Sequence, residues 1–256
     1  MTAPILVTGG TGTLGGHVVP LLREAGRTVR VLSRHGREAA DGVEYVTADL
    51  LKDDDEGLRA ALEGTEVVLH LAGGPKGDDV ATRNLVRAAQ RAGVKHLVYI
   101  SVVGADTVPV AWLKNKLAAE RAVAESGIPF TTLRAAQFHD LVLTVVEKMT
   151  KLPVLPVPGG LRFEPVDSRD VAARLVELTL GEPAGLVPDL AGPKVYGMSE
   201  LSGGYLRALG RRRPKMPVRI PGKAGRAYRA GENLAREGAT RGERTWEAFV
   251  GERVSR

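Results

Sequence analysis

Short apolar runs alternate with amphipathic stretches through the first half of this chain. Ile5-Leu6-Val7 is an uninterrupted apolar run, and His17-Val18-Val19-Pro20-Leu21-Leu22 then spaces its apolar residues as a helix does. Thr28-Val29-Arg30-Val31-Leu32 returns to a strand pattern, followed by Val43 to Ala48 and Val67 to Ala72. Residues 79–92 place Val80, Leu85, Val86 and Ala89 on one helical face, and His96 to Ser101 form the fifth strand pattern. A helix over 111–126 leads to a sixth strand, Phe130 to Arg134. Near-continuous apolar strands belong to parallel sheets covered on both faces. Strands alternating with helices predict an α/β fold, a doubly wound parallel sheet of Rossmann type.

The second half is less regular. Leu141 to Met149 reads as a helix, and Pro153 to Pro158 as a loop or extended segment. Asp167-Ser168-Arg169-Asp170 supplies caps for a helix from Val171 to Leu180. Beyond Pro183 the pattern loosens, with helices expected near 199–209 and 245–250, the last docked by Trp246, Phe249 and Val250. The expected organisation is a dinucleotide-binding part, 1–150, and a smaller C-terminal α/β substrate lobe, 151–256, packed on it as a single compact unit.

The chemistry begins at Thr8-Gly9-Gly10-Thr11-Gly12-Thr13-Leu14-Gly15. Gly10, Gly12 and Gly15 satisfy G-x-G-x-x-G between a strand and a helix, the context in which that spacing carries meaning. Residues without bulk let the backbone approach a pyrophosphate, and unpaired N–H groups at the helix start point at its charge.

Composition narrows the options. The chain has 256 residues, 43% of them hydrophobic, enough for a full core. It has no cysteine, which removes disulfides and thiolate chemistry, and its five histidines show no metal-ligand spacing, so no metal is expected. The N-terminus enters a strand almost at once, so the expectation is no signal peptide and a cytoplasmic location. No apolar run reaches the ~18 residues of a membrane-spanning helix, and no membrane partner is expected. The acidic run Asp53-Asp54-Asp55-Glu56 reads as the cap and first turn of a helix. The net charge of +6 is local: nine basic residues and no acid lie between Arg207 and Arg229. A solvated face is favoured there, because prolines and glycines break the segment; an anionic partner is the sharper alternative.

In a doubly wound sheet the ligand lies across the carboxyl ends of the strands. Strand two is followed by Ser33-Arg34 rather than an acid, which suits a 2′-phosphate and predicts NADPH over NADH. Asp49-Leu50 after strand three would meet adenine, and Ala72-Gly73 after strand four would lie along the dinucleotide. Ser101 ends strand five, near the place for nicotinamide.

Taken together, these residues resemble the atypical short-chain dehydrogenase/reductase superfamily, and within it the NmrA-like group. The match includes Thr8–Gly15, Ser33-Arg34, Ala48-Asp49-Leu50, His70-Leu71-Ala72-Gly73 and Leu97-Val98-Tyr99-Ile100-Ser101. It continues through Lys116-Leu117-Ala118-Ala119-Glu120, Ser126 to Arg134 and Val166 to Ala172, to about residue 195. The resemblance implies NADP as cofactor, with Thr8, Gly9, Gly10, Thr11, Gly12, Thr13, Leu14, Ser33, Arg34, Asp49, Leu50, Ala72, Gly73, Ser101 and Lys116 around it.

The chain departs from that family at its proton donor. Its reductases carry Tyr-x-x-x-Lys on the helix after strand five; here the pair is Trp112 and Lys116. An indole N–H does not ionise usefully and cannot act as a general acid. Ser101 and Lys116 remain candidate catalytic residues, and His139, after strand six, is a candidate proton source, with a partly buried structural histidine as its plainer reading. His70, at the end of a buried strand, reads as structural. Two functions are expected. The first is hydride transfer from NADPH to an activated small-molecule acceptor, quinone-like or a conjugated carbonyl, which needs little proton delivery. The second is a catalytically silent NADP(H)-sensing regulator, with a protein or nucleic-acid partner. A homo-oligomer is compatible with either.

Overall fold

The computed structural model describes residues 3–39, 41–52, 55–74 and 76–255. Elements follow in the order β1 (Ile5–Thr8), α1 (Gly15–Glu24), β2 (Val29–Ser33), β3 (Val43–Thr47), α2 (Asp55–Leu62), β4 (Val67–His70) and α3 (Asp78–Ala92). Next come β5 (His96–Val102), α4 (Ala111–Ala124), β6 (Phe130–Ala135), α5 (His139–Thr150), β7 (Leu155–Pro158), β8 (Arg162–Phe163) and α6 (Ser168–Leu180). The chain continues with β9 (Gly185–Leu186), β10 (Leu190–Ala191), β11 (Tyr196–Gly197), α7 (Met198–Ala208), β12 (Lys215–Val218), α8 (Gly222–Ala230), β13 (Thr240–Arg241) and α9 (Trp246–Val254). Two compact units share it: 1–101 with 114–133 and 172–187, and 102–113 with 134–171 and 188–256.

The first unit holds a sheet in the order β3-β2-β1-β4-β5-β6, with β9 beside β6. Its registered pairs are parallel, Ile5 facing both Val29 and Val67, and Val67 facing His96. The order reverses between β1 and β4, so the carboxyl ends of those strands diverge and leave a crevice. Leu6, Leu32, Val68, Leu97 and Tyr99 from the sheet pack with Leu58 and Leu62 of α2, Leu85 and Ala89 of α3, and Ala119 and Val123 of α4. Leu85, Val86 and Ala89 are buried as the sequence periodicity predicts, but Val80, expected on the same face, is exposed. Of the acidic run before α2, Asp53 and Asp54 lie outside the described residues.

The second unit is built on α5, α7 and α9. Val142, Val146, Leu201, Leu206, Trp246, Phe249 and Val250 form its core with Leu155 and Val157. Trp246 is fully buried, and its indole N–H donates to the Leu201 carbonyl at 3.0 Å. The proline-rich stretch is extended: β7 pairs in parallel with β12, Leu155 opposite Lys215. That pairing places part of the basic segment on an exposed ribbon edge, with Arg211, Arg212 and Arg213 in the exposed loop before it. The segment also contains α8, which the sequence pattern does not predict. Gly222 and Gly225 weaken the helical signal. Gly225 is needed there, because a Cβ would stand 2.2 Å from the Ile220 carbonyl oxygen.

Candidate functional site

The crevice lies in the first unit, a cavity of about 530 Å³ at the carboxyl ends of β1 to β4. That is ample for a cofactor site. One wall is the loop from β1 to α1, where Gly9, Thr11 and Gly12 line the cavity. Gly9 sits at φ +70°, and a Cβ there would lie 2.6 Å from the Ala72 backbone nitrogen. At Gly15 a Cβ would lie 2.4 Å from both the Gly10 Cα and the Gly9 carbonyl oxygen. The loop is therefore wound tightly on itself, and only glycine fits at those two positions. Helix α1 starts with no side-chain cap at Leu14 and no acid in its first turn. The amides of Thr13 and Leu14 donate to no other backbone group among the described residues. A helix start left open in this way suits a diphosphate.

The opposite wall comes from the segments after β2, β3 and β4. Ser33, Arg34, Asp49 and Leu50 line the cavity. Ser33 is buried, its Oγ accepting the His35 N–H at 3.3 Å, while Arg34 is exposed and makes no ion pair among the described residues. The Asp49 carboxylate accepts the Leu51 N–H at 3.1 Å, which fixes that loop. Ala72 and Gly73 complete the wall with Gly74, Gly77 and Asp78.

The remaining expected residues lie behind this surface. Thr8 is fully buried, and its hydroxyl donates to His70 Nδ1 at 2.6 Å while accepting the Ala72 N–H at 3.2 Å. Gly10 packs under Val31, and Leu14 is buried. Lys116 is buried: its Nζ lies 2.9 Å from Asp78 Oδ2, 3.3 Å from the Tyr99 hydroxyl and 3.4 Å from the Ile100 carbonyl. A Cβ at Gly73 would stand 3.0 Å from that ammonium, so a glycine is what lets it sit directly beneath the cavity wall. Ser101 is buried, with an Oγ that has no hydrogen-bond partner among the described residues.

Asp78 and Thr82 are the residues that the sequence reading missed. The only cue was an acid opening a helix, where capping is explanation enough. Asp78 is nearly sealed from solvent, and its Oδ1 accepts the Gly74 N–H at 2.7 Å. Thr82 donates to the Asp78 carbonyl at 2.7 Å, so at 3.0 Å its oxygen must accept from His70 Nε2. His70 is thus the neutral Nε2–H tautomer. Burial first, and then the Lys116 charge, push its pKa down to about 3. Tyr99 stacks on His70 at 5.3 Å between ring centroids, and burial first, then the Asp78 and Glu120 charges, drives its phenol well above the usual range.

His139 and Trp112 belong to the second unit. His139 has no solvent exposure; its ring lies 5.0 Å from that of Phe249 and 5.7 Å from that of Trp246. Its Nδ1 is 3.8 Å from Asp167, too far for a hydrogen bond. Burial alone would raise the Asp167 carboxyl, but Arg169 outweighs it through side-chain contacts at 2.7 and 2.9 Å and holds the acid well below the usual carboxylate range. Trp112 packs against the cluster of Val108, Leu113 and Ala227.

Residues 9–180 match a family model described as NAD(P)H-binding. Quinone oxidoreductase 2 of Escherichia coli is 28% identical over 207 residues, 77% of this chain and 72% of that protein. An NAD(P)H azoreductase of Xenophilus azovorans is 31% identical over 217 residues, 81% of this chain and 74% of that protein. An NADPH-dependent quinone oxidoreductase of Escherichia coli, solved in complex with NADPH, superimposes with a TM-score of 0.84 over 97% of this chain and 99% of that one, at 22% identity.

Proposed function

Because the chain belongs to the NAD(P)H-binding family, within the NmrA-like atypical short-chain dehydrogenases/reductases, we propose that it is an NADPH-dependent oxidoreductase acting on an electron-poor small molecule such as a quinone or conjugated carbonyl. The observation that carries this is the crevice, with a glycine loop no Cβ could enter at Gly9 or Gly15 and an exposed cation, Arg34, where NAD-specific proteins place an acid. The names of the quinone oxidoreductase and azoreductase relatives support the acceptor class.

The bound coenzyme supplies a hydride. The chain's own residues bind and orient. The amides at the start of α1 take the diphosphate, and the missing first-turn acid avoids repulsion there. Arg34 takes the 2′-phosphate through charge-assisted hydrogen bonds, beside Ser33. Asp49 and Leu50 face the adenine end, while Ala72 and Gly73 allow close approach along the middle. Lys116 places a positive charge under Gly73, and Ser101 offers a hydroxyl with unspent hydrogen-bonding capacity.

The family tyrosine has no counterpart at position 112. Trp112 cannot deliver a proton, and Tyr99 is fully buried with a phenol that burial keeps protonated. An unactivated ketone would need proton delivery to its developing alkoxide. A quinone would not, because its reduced anion is stabilised and water can protonate it. NADPH oxidation followed at about 340 nm across quinones, enones and simple ketones tests this reading. Turnover confined to quinones and enones is expected. Silence across all three, with tight NADPH binding, would instead favour the cofactor-sensing function, for which the absent tyrosine is the motivating observation.

A further inference from the structure

We propose that Asp78 is the positioning residue of this site: it holds the Lys116 ammonium at the cavity wall and ties that charge, through Thr82, His70 and Thr8, to the phosphate-facing loop. This rests on the reading that the crevice takes NADP(H).

Lys116 and Asp78 keep only 10% and 4% of their side-chain surface, so neither charge could stay there unpaired. Three other contacts hold the lysine head, namely the Tyr99 hydroxyl, the Tyr99 ring face at 5.1 Å from Nζ, and the Ile100 carbonyl. None of these three carries a formal charge, whereas the Asp78 carboxylate fixes the ammonium by ion pairing. The same carboxylate takes the Gly74 N–H and so sets the loop under which the ammonium lies.

A directional chain then leads away from Asp78. Its carbonyl accepts from Thr82, Thr82 accepts from His70 Nε2, His70 Nδ1 accepts from Thr8, and Thr8 accepts from the Ala72 N–H. With the Thr82 hydroxyl committed to the Asp78 carbonyl, the path fixes one tautomer of His70. Thr8 is the last residue of β1 and precedes Gly9, whose missing Cβ is required by that same Ala72 nitrogen. The phosphate loop, the 72–74 segment and the lysine are therefore parts of one buried polar network. A shift at Asp78 would displace the far half of the dinucleotide site while leaving the adenosine half in place.

Calorimetry on the intact protein separates the outcomes by using two probes, NADPH and adenosine 2′-monophosphate, which lacks the 5′-phosphate and so reaches only the adenosine half. Asp78→Asn should weaken NADPH by tenfold or more and leave adenosine 2′-monophosphate within about twofold. Thr82→Val, which cuts the chain but spares the ion pair, should show the same split with a smaller loss. In the free protein, acetic anhydride should label Lys116 faster in the Asp78→Asn variant than in the wild type. Unchanged NADPH affinity in Asp78→Asn would overturn the proposal. Equal loss of both probes would also overturn it, because the residue would then be merely structural. Wild-type protein that bound neither probe would instead defeat the cofactor reading itself.

Discussion

His70 makes a sharp prediction about acid stability. It is wholly buried, and its pKa is lowered to about 3 by burial and by the Lys116 charge, whereas in the unfolded chain it titrates near the ordinary imidazole value of about 6.5. Between those values the unfolded chain binds a proton that the folded chain refuses. Stability is therefore fully present above the unfolded value and is lost as the pH falls toward the folded one. The slope approaches about 1.4 kcal/mol per pH unit, so lowering the pH from about 6.5 to about 4.5 should cost about 2 kcal/mol through this one group. His96 is also lowered, chiefly by burial, and contributes with the same sign. A comparison with His70→Gln removes that background. Glutamine carries a carbonyl acceptor and an NH2 group with two donors, so it can supply both hydrogen bonds of the neutral ring, and it does not titrate. Urea denaturation across this pH range should show the wild type losing about 2 kcal/mol more than the variant. Parallel losses would refute the reasoning, because they would mean that His70 is protonated in the folded protein or is not buried.

Other substitutions probe separate parts of the account. Gly15→Ala forces a Cβ against backbone atoms at 2.4 Å, which should cost about 1–3 kcal/mol in thermal denaturation and abolish NADPH heat in calorimetry. Trp246→Ala empties the centre of the second unit and should lower stability by about 3–5 kcal/mol in the same denaturation assay. Trp112→Tyr restores an acid one helical turn before Lys116, and should bring ketone reduction up from background, by as much as ~10²-fold if the phenol reaches the substrate; no gain would show that more than the acid is missing.

Much of the fold was legible because parallel strands covered on both faces are near-continuously apolar, as in β1, β4 and β5, while β2, β3 and β6 keep enough alternating apolar residues to be read beside their polar ones. The glycine loop was legible for a related reason, since close backbone approach admits no substitute. Asp78 was not legible. An acid at a helix start has a sufficient local explanation, and its pairing with Lys116 joins residues 38 positions apart. Thr8 was assigned to the cofactor by its place in the motif, yet its side chain turns inward to His70, a direction that no sequence period encodes. Helix α8 escaped notice because its glycines answer to contact with Ile220 rather than to helical propensity.

The central claim is that the crevice between β1 and β4 grips a 2′-phosphorylated dinucleotide through the glycine loop and Arg34. Titration calorimetry of wild type and Arg34→Ala with NADPH and NADH tests it most directly. The account predicts that wild type binds NADPH at least ~10-fold tighter than NADH, in line with a charged hydrogen bond of about 1.5–3 kcal/mol, and that Arg34→Ala loses this preference while still binding both. No heat with either coenzyme, or a preference that survives the loss of Arg34, would contradict it.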